Sequence, residues 1–332
     1  MCKKVLRLIM AFCVLAAIAG CKKDDKIVIK VGDTWAETHP IAAAMDNVFK
    51  PMVEEKTGGR YKVEIYHDGI LGGEADQWNA VRNGTTEVVV LGSVMNTEWM
   101  PMLISDWPFL YRDIDHAAKV WTGPIADEMS ERFNAVFPST EMLAWAPNSA
   151  RTFTSNKKLT SVDDFKGQKF RMPSNPIHTG IAANLGSSAQ VIPLGDLYTS
   201  LQTGVVDGQD NGMVTVIAQG LQEVQKYLYE TNHIIATMEI IISKPFMDKL
   251  PAEDQQIIRD AAKASAAQAW VEYANSIDRD RQKLVDAGMI VTPCTPEDKA
   301  KIIEKIKPLT DKLLADNADW APELISKVTA VN

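Results

Sequence analysis

The stretch from Pro251 to Gly288 restricts the fold of this 332-residue chain more than any other feature. It holds no internal Gly or Pro and is rich in Ala, Gln, Asp and Arg. Proline suits the first turn of a helix, where its missing N–H costs nothing, and glycine suits the residue just past the last turn. At 1.5 Å per residue, a helix of about 36 residues is roughly 54 Å long. That exceeds the width of one ordinary domain, so the helix is expected to run along two bodies. The alternative is two helices broken near Asn275. A chain of this length has room for two domains and enough core to need no disulfide staples.

Upstream, strand and helix patterns alternate. Residues 26–31 alternate apolar and charged side chains, as a half-buried strand does, and His39-Pro40 opens a helical stretch to Glu55 that Gly58-Gly59 stops. Residues 61–66 read as a strand, 73–82 as a helix and 87–91 as a short apolar strand. After a loop at Pro147-Asn148-Ser149 a second series begins, with strands at 151–155, 168–172 and 189–192 and helical segments from Ser161, Asn175 and Leu194. Residues 234–243 form a long β-rich run that can reconnect the two bodies. The expected class is α/β, with mostly parallel sheets covered by helices.

The first twenty residues are a separate object. Lys3, Lys4 and Arg7 form a basic opening, and residues 8–20 are an uncharged run of 13. That is too short to span a bilayer and the right length for the core of a secretory signal. It ends Ile18-Ala19-Gly20-Cys21, which resembles the bacterial lipobox, whose cysteine thiol receives a diacylglyceryl group before cleavage. The expectation is a signal over 1–20, a lipidated Cys21 anchored to a membrane by two or more acyl chains, and a charged tether over 21–25. The plainer alternative is a secretory signal cut near Gly20, with Cys21 a bystander.

The chain carries 35 basic and 43 acidic residues, a net charge of −8. Loss of Lys3, Lys4 and Arg7 leaves 32 basic against the same 43 acidic, or −11. No basic block is interleaved with aromatics, so a nucleic-acid partner is not expected. With Cys2 and Cys13 gone and Cys21 lipidated, Cys294 stands alone and no disulfide framework remains. A P-loop, GxGxxG, HExxH, GxSxG and paired-cysteine metal spacings are all missing. The five histidines, His39, His67, His116, His178 and His233, are scattered without an i, i+4 pair, and each reads as a cap, turn or surface residue. Cys294 sits in a Thr-Pro-Cys-Thr-Pro loop rather than in a nucleophile motif.

Three segments carry a resemblance. They are Arg151-Thr152-Phe153-Thr154-Ser155, the run Val162-Asp163-Asp164-Phe165-Lys166-Gly167-Gln168-Lys169-Phe170-Arg171-Met172-Pro173, and Leu201-Gln202-Thr203-Gly204-Val205-Val206-Asp207-Gly208-Gln209-Asp210-Asn211. Together they resemble the solute-binding proteins of TRAP transporters, the dicarboxylate-binding DctP-type family. Ile70-Leu71-Gly72-Gly73-Glu74, Asp106-Trp107-Pro108-Phe109-Leu110-Tyr111 and the stretch from Lys226-Tyr227 to His233 extend it over the whole mature chain. The resemblance implies a two-lobed, periplasmic-binding-protein-like receptor that closes at a hinge on an organic anion. It would pass that anion to small and large membrane subunits, without a cofactor and without catalysis.

By the same resemblance Arg171 pairs with the ligand carboxylate, Arg151 is a second basic group of the site, and Asn211 hydrogen-bonds the ligand. Asp210 stands where the family usually has Glu, and Gly212 where it usually has Pro, which implies a less rigid turn. Leu194 occupies a pocket position that is often aromatic. Read from the residues alone, Arg171 could instead pair with Asp163 or Asp164 on the surface, and Arg151 could be an exposed strand end. Glu74 and Gln77 sit at a helix start after Gly72-Gly73, where capping explains Glu74 equally well. Thr34, beside Asp33 and Trp35, follows the first strand, and Ser93 and Asn96 follow the third, the edge where α/β folds bind ligands. Trp145 could stack on a sugar ring or fill core. These polar groups suit a hydroxyl-rich organic acid, a hexuronate first, with a C4-dicarboxylate or other small carboxylate as the alternative; the rivals are a ligand-presenting sensor subunit and an enzyme acting on a carboxylate substrate, which would need a general acid or base near Arg171. The lobes are expected over 26–148 plus 237–276 and 149–236 plus 277–332, in a monomer.

Overall fold

The computed structural model describes residues 26–332; the expected signal over 1–20, Cys21 and the tether lie outside the described residues, as does the side chain of Ser93. Eleven strands are described: β1 Ile27–Gly32, β2 Tyr61–Tyr66, β3 Val88–Leu91, β4 Thr140–Ala150, β5 Thr152–Ser155, β6 Lys169–Met172, β7 Ser188–Val191, β8 Gly208–Asn211, β9 Tyr227–Glu230, β10 Ile235–Ser243 and β11 Ile290–Pro293. They form a five-stranded sheet in the order β2-β1-β3-β10-β4 and a six-stranded sheet in the order β11-β9-β5-β8-β6-β7. In the first, β1 runs parallel to β2 and β3, and β10 runs antiparallel to β3 and β4. In the second, β6 lies parallel to β7 and β8, while β5 is antiparallel to β8 and β9.

Period-two patterning divides the first sheet between two cores. Val88 and Val90 of β3, with Ile240 and Ile242 of β10, pack with Ile29, Phe49, Ala262 and Ala266. Val89, Leu91 and Ile241 belong to the other cluster, which continues through Trp121, Trp145, Phe153 and Phe170 into the second sheet. The long helix is unbroken over Ala252–Asp286, 35 residues, so a break near Asn275 does not occur. It packs on β4 and on the helical stretch Pro40–Lys56, and further along on the helix Met213–Ala218 and on β11. It therefore touches elements associated with both sheets.

Two expectations need correction. Pro147-Asn148-Ser149 is not a loop but part of β4, paired with β10. A register shift at Ala236/Thr237 lies opposite this stretch, a bulge of the kind that accommodates a proline in a strand. The turn-like Gly208-Gln209-Asp210-Asn211 is β8, fully buried, and its polar side chains are paired with one another and with neighbouring elements. Arg151 lies in the single residue between β4 of one sheet and β5 of the other, and its N–H donates to Ile234 O at 2.7 Å. Residues 231–234 make the return crossing. The two crossings are thus tied together at the point where the sheets join.

Candidate functional site

The parallel strands β1, β2 and β3 end at one edge of the first sheet, and β6 and β8 end toward it from the second. Between these edges Trp35, Glu74, Arg151, Arg171, Pro173, Leu194 and Asn211 line a small cleft. Five of these are residues to which the sequence points; Trp35 and Pro173 complete the wall.

Arg171 is in β6, between Gln190 of β7 and Gln209 of β8. Its Nε donates to Ile192 O at 2.7 Å, and it is 5% exposed. Burial, with the neighbouring positive charge of Arg151, lowers its pKa to about 10, against the pull of Glu74 and Asp210. It stays charged at neutral pH. The surface pair does not form: Asp164 accepts from the backbone N–H groups of Thr160 and Ser161 instead. Arg151 is 2% exposed; its Nε donates to Asp210 Oδ1 at 3.0 Å and its Nη2 to the Asp210 carbonyl. Arg151 is therefore not an exposed strand end. Burial would raise the Asp210 carboxyl, but Arg151, His233 and His178 hold it well below the usual range.

Glu74 opens the helix Glu74–Asn83 but does not cap it; Asp76 accepts the Gly73 N–H at 3.1 Å. Glu74 Oε1 accepts from Gly92 N at 2.8 Å, across the gap to the end of β3. A Cβ there would stand 2.9 Å from that oxygen and 3.2 Å from Trp35 Cζ2, so a larger residue would displace the Glu74 carboxylate. Burial raises the Glu74 pKa, opposed by the Gly92 N–H and by Arg171 and Arg151. Asn211 Nδ2 donates to Gln209 Oε1 at 2.7 Å. Gly212, in place of the family's usual proline, donates its N–H to Ser149 Oγ at 3.2 Å. A Cβ at this position would come within 2.3 Å of Ser149 Cβ, so the turn is packed against β4 rather than loosened.

Gln77, Thr34, Asn96 and Trp145 stand outside the cleft wall. Gln77 is fully buried, donates to Gly72 O at 2.8 Å and stands outside the cleft wall. Thr34, also outside that wall, has a buried Oγ1 with no partner among the described residues. Ser93 begins a 3₁₀ turn, Ser93–Thr97, at the end of β3. Asn96 is turned inward, donating to Asp106 Oδ2 at 2.6 Å and to Ser105 Oγ at 3.1 Å. Trp145 does not reach the cleft: it stacks on Trp121 at 4.6 Å, donates to Ser130 Oγ at 2.9 Å and lines a separate cavity of about 250 Å³. β4 turns this side chain toward the helix Pro124–Val136, where core packing claims it.

The histidines are the largest departure from expectation. All five are buried rather than at the surface. His67 bridges Asp33 Oδ2 at 2.7 Å and Asp46 Oδ2 at 3.0 Å, and Asp33 Oδ1 accepts the Trp35 N–H at 2.9 Å. Burial works against protonation of His67, but the two carboxylates outweigh it and push its pKa up to about 9. Cys294 is partly buried, and burial raises its thiol, the wrong direction for a nucleophile. Among the described residues, no group of three or more His, Cys, Asp or Glu side chains could hold a metal ion, and no helix is long and apolar enough to cross a membrane. The cleft thus brings two guanidinium groups, Arg151 and Arg171, and one carboxylate, Glu74, to the same wall.

Residues 31–317 match the family described as bacterial extracellular solute-binding protein, family 7 (DctP). A TRAP periplasmic solute-binding protein of Haemophilus influenzae, solved with bound L-gulonate, is 31% identical with a TM-score of 0.87, covering 92% of this chain and 100% of that one. Another from Desulfovibrio salexigens, with bound orotic acid, is 28% identical with a TM-score of 0.84 over 91% and 97% of the two chains. A third, from Xanthobacter autotrophicus with bound β-D-galacturonate, is 26% identical with a TM-score of 0.85 over 92% and 100%. With its family motifs in order and two arginines facing one cleft, the chain belongs to the DctP family of extracellular solute-binding proteins, the receptors of TRAP transporters and not enzymes.

Proposed function

We propose that this receptor captures a sugar acid, a hexuronate first, and delivers it to the small and large membrane subunits of a TRAP transporter. The observation that carries the reading is the composition of the cleft: two buried guanidinium groups, Arg171 and Arg151, opposite the single carboxylate of Glu74. A carboxylate entering such a cleft loses hydration, and a planar guanidinium with parallel donors offsets that loss. Arg151 already spends Nε and Nη2 on Asp210, so Arg171 is the main partner of the ligand carboxylate. Glu74 suits hydroxyl donors and opposes a second carboxylate. This favours a polyhydroxy monoacid over a C4-dicarboxylate. Relatives solved with L-gulonate and β-D-galacturonate support the choice, and one solved with orotic acid keeps other carboxylates as the second reading.

Arg171 and Asn211 stand on the second sheet, and Glu74 and Trp35 at the edge of the first. A ligand touching both sets favours the state in which the lobes are together, with Arg151 and residues 231–234 as hinge strands. The lobes in this reading are 26–148 plus 237–276 and 149–236 plus 277–332, in a monomer held at a membrane by lipidated Cys21. A thermal-shift panel tests the ligand class. A ligand at 100 times its Kd stabilises by about 2.7 kcal/mol. D-glucuronate, D-galacturonate and L-gulonate should raise the Tm, while succinate and neutral glucose should not. A shift with succinate alone would favour the dicarboxylate reading, and a shift with glucose alone would overturn the acid reading. Mass spectrometry of the membrane fraction should find diacylglyceryl on Cys21, and Cys21→Ser should release the protein in soluble form.

A further inference from the structure

From Arg151 in the cleft wall a buried chain of alternating charges runs inward. Arg151 is bonded to Asp210 Oδ1, and Asp210 Oδ2 lies 2.8 Å from Nδ1 of His178. His178 Nε2 in turn lies 3.3 Å from Asp106 Oδ2, off the direction of a hydrogen bond. All four side chains are at most 5% exposed. The two ends belong to different bodies. Asp210 is in β8 of the second sheet, whereas Asp106 ends the 3₁₀ segment Met100–Asp106, which packs on β10 of the first. His178 sits in the first turn of the helix Pro176–Asn184, whose N-cap Asn175 donates Nδ2–H to Asp106 Oδ2 at 2.9 Å.

The geometry favours one protonation state. A neutral imidazole that donates from Nδ1 to Asp210 would turn its Nε2 lone pair toward a carboxylate oxygen 3.3 Å away in a dry interior. With both nitrogens protonated, the cation stands between two anions and the four-residue chain is neutral. A helix N-terminus disfavours a cation, so the two carboxylates must outweigh that as well. We propose that His178 is a positioning residue of the ligand site: as a cation between Asp106 and Asp210 it holds Asp210, and through it Arg151, in the binding geometry, and couples that geometry to the opposite sheet. The proposal rests on Arg151 serving the ligand anion.

The charged and titratable groups facing His178 are Asp106, Asp210, Arg151 and His233. Burial and Arg151 oppose its protonation, but Asp106 and Asp210 prevail and raise its pKa, while burial lowers that of His233. Among the described residues, no side chain of the helix Pro296–Asp316, which packs on the His178 helix, forms an ion pair with it. Asp210 is one methylene shorter than the glutamate usual in the family, and His178 meets the oxygen that does not contact Arg151.

The test uses His178→Gln and Asp106→Asn, which keep size and hydrogen-bonding capacity but drop one charge, with D-glucuronate as probe. Calorimetric titration over a pH series should show wild-type affinity held while His178 is a cation and falling as pH rises through its transition. Each variant should bind about 5- to 30-fold more weakly at pH 7, and the double variant should lose no more than the worse single one. His178→Gln should also flatten the pH profile. Independently of any ligand, NMR of the unliganded protein should find both His178 ring nitrogens protonated at pH 7, with the transition moved to lower pH in Asp106→Asn. A neutral His178 at pH 7, or folded variants that bind within threefold with an unchanged pH profile, would overturn the proposal. Arg171→Ala separates the two readings: if it abolishes binding while His178→Gln does not, only the positioning role fails.

Discussion

Glu74 and His67 show how single side chains shape the cleft without being its main anchor. Among the described residues Glu74 is the one acid in the lining, and in the proposed reading its position opposite two arginines makes it a selectivity group. Replacing it with Gln should weaken a hexuronate about tenfold, the scale of one charge-assisted hydrogen bond, while succinate gains affinity because the repulsion is gone. Paired calorimetric titrations check both directions, and parallel losses for both ligands would argue against selectivity. His67 acts from behind, through Asp33, whose carboxylate holds the Trp35 turn. Its folded pKa of about 9 lies above the unfolded value of 6.5, so its stabilisation is fully present below about pH 6.5. It is lost as pH climbs through 9, with an upper bound of about 3 kcal/mol. Melting temperature should therefore fall over pH 7–10 in the wild type and much less in His67→Gln.

At the scale of elements, the parts legible in the sequence are those where local pattern and tertiary role agree. Arg171 could be placed on a strand because β6 has alternating apolar residues, and the helix Ala252–Asp286 because it lacks breakers. β8 was illegible as a strand, since Gly, Asp and Asn are turn residues; here Asp210 is satisfied by Arg151 and His178 and Gln209 by Thr154, all across long sequence distances. The His178–Asp106 contact spans 72 positions, and no spacing rule reaches that far. Trp145 illustrates the opposite error. Its neighbour in sequence is the site, but the pleat of β4 commits it to Trp121 and the helical layer. Trp145→Ala should cost about 3–5 kcal/mol of stability, as large-to-small core changes do, with ligand affinity little changed. Chemical denaturation and titration of the same sample would separate these, and a large affinity loss at preserved stability would return Trp145 to the site.

For the whole molecule, the two sheets are joined through Arg151 and residues 231–234, and the cleft lies at that joint. In the proposed reading capture is a matter of geometry: the residues that line the cleft come from both sides, and Arg151, at the link between them, is one of them. The family motifs in the sequence point to Arg171, Arg151 and Asn211, all of which line the cleft, although β8, which carries Asn211, does not read as a strand. They do not point to the buried charges behind these residues, because burial and pairing are properties of the folded chain. The central claim is that Arg171 binds the ligand carboxylate in this cleft, and calorimetric titration of D-glucuronate into wild type and Arg171→Ala tests it most directly. The account predicts a loss of about 2–5 kcal/mol, roughly 30- to several-thousand-fold in affinity, with only part recovered by Arg171→Lys. A folded Arg171→Ala protein with an unchanged unliganded Tm that binds within threefold of wild type would contradict it.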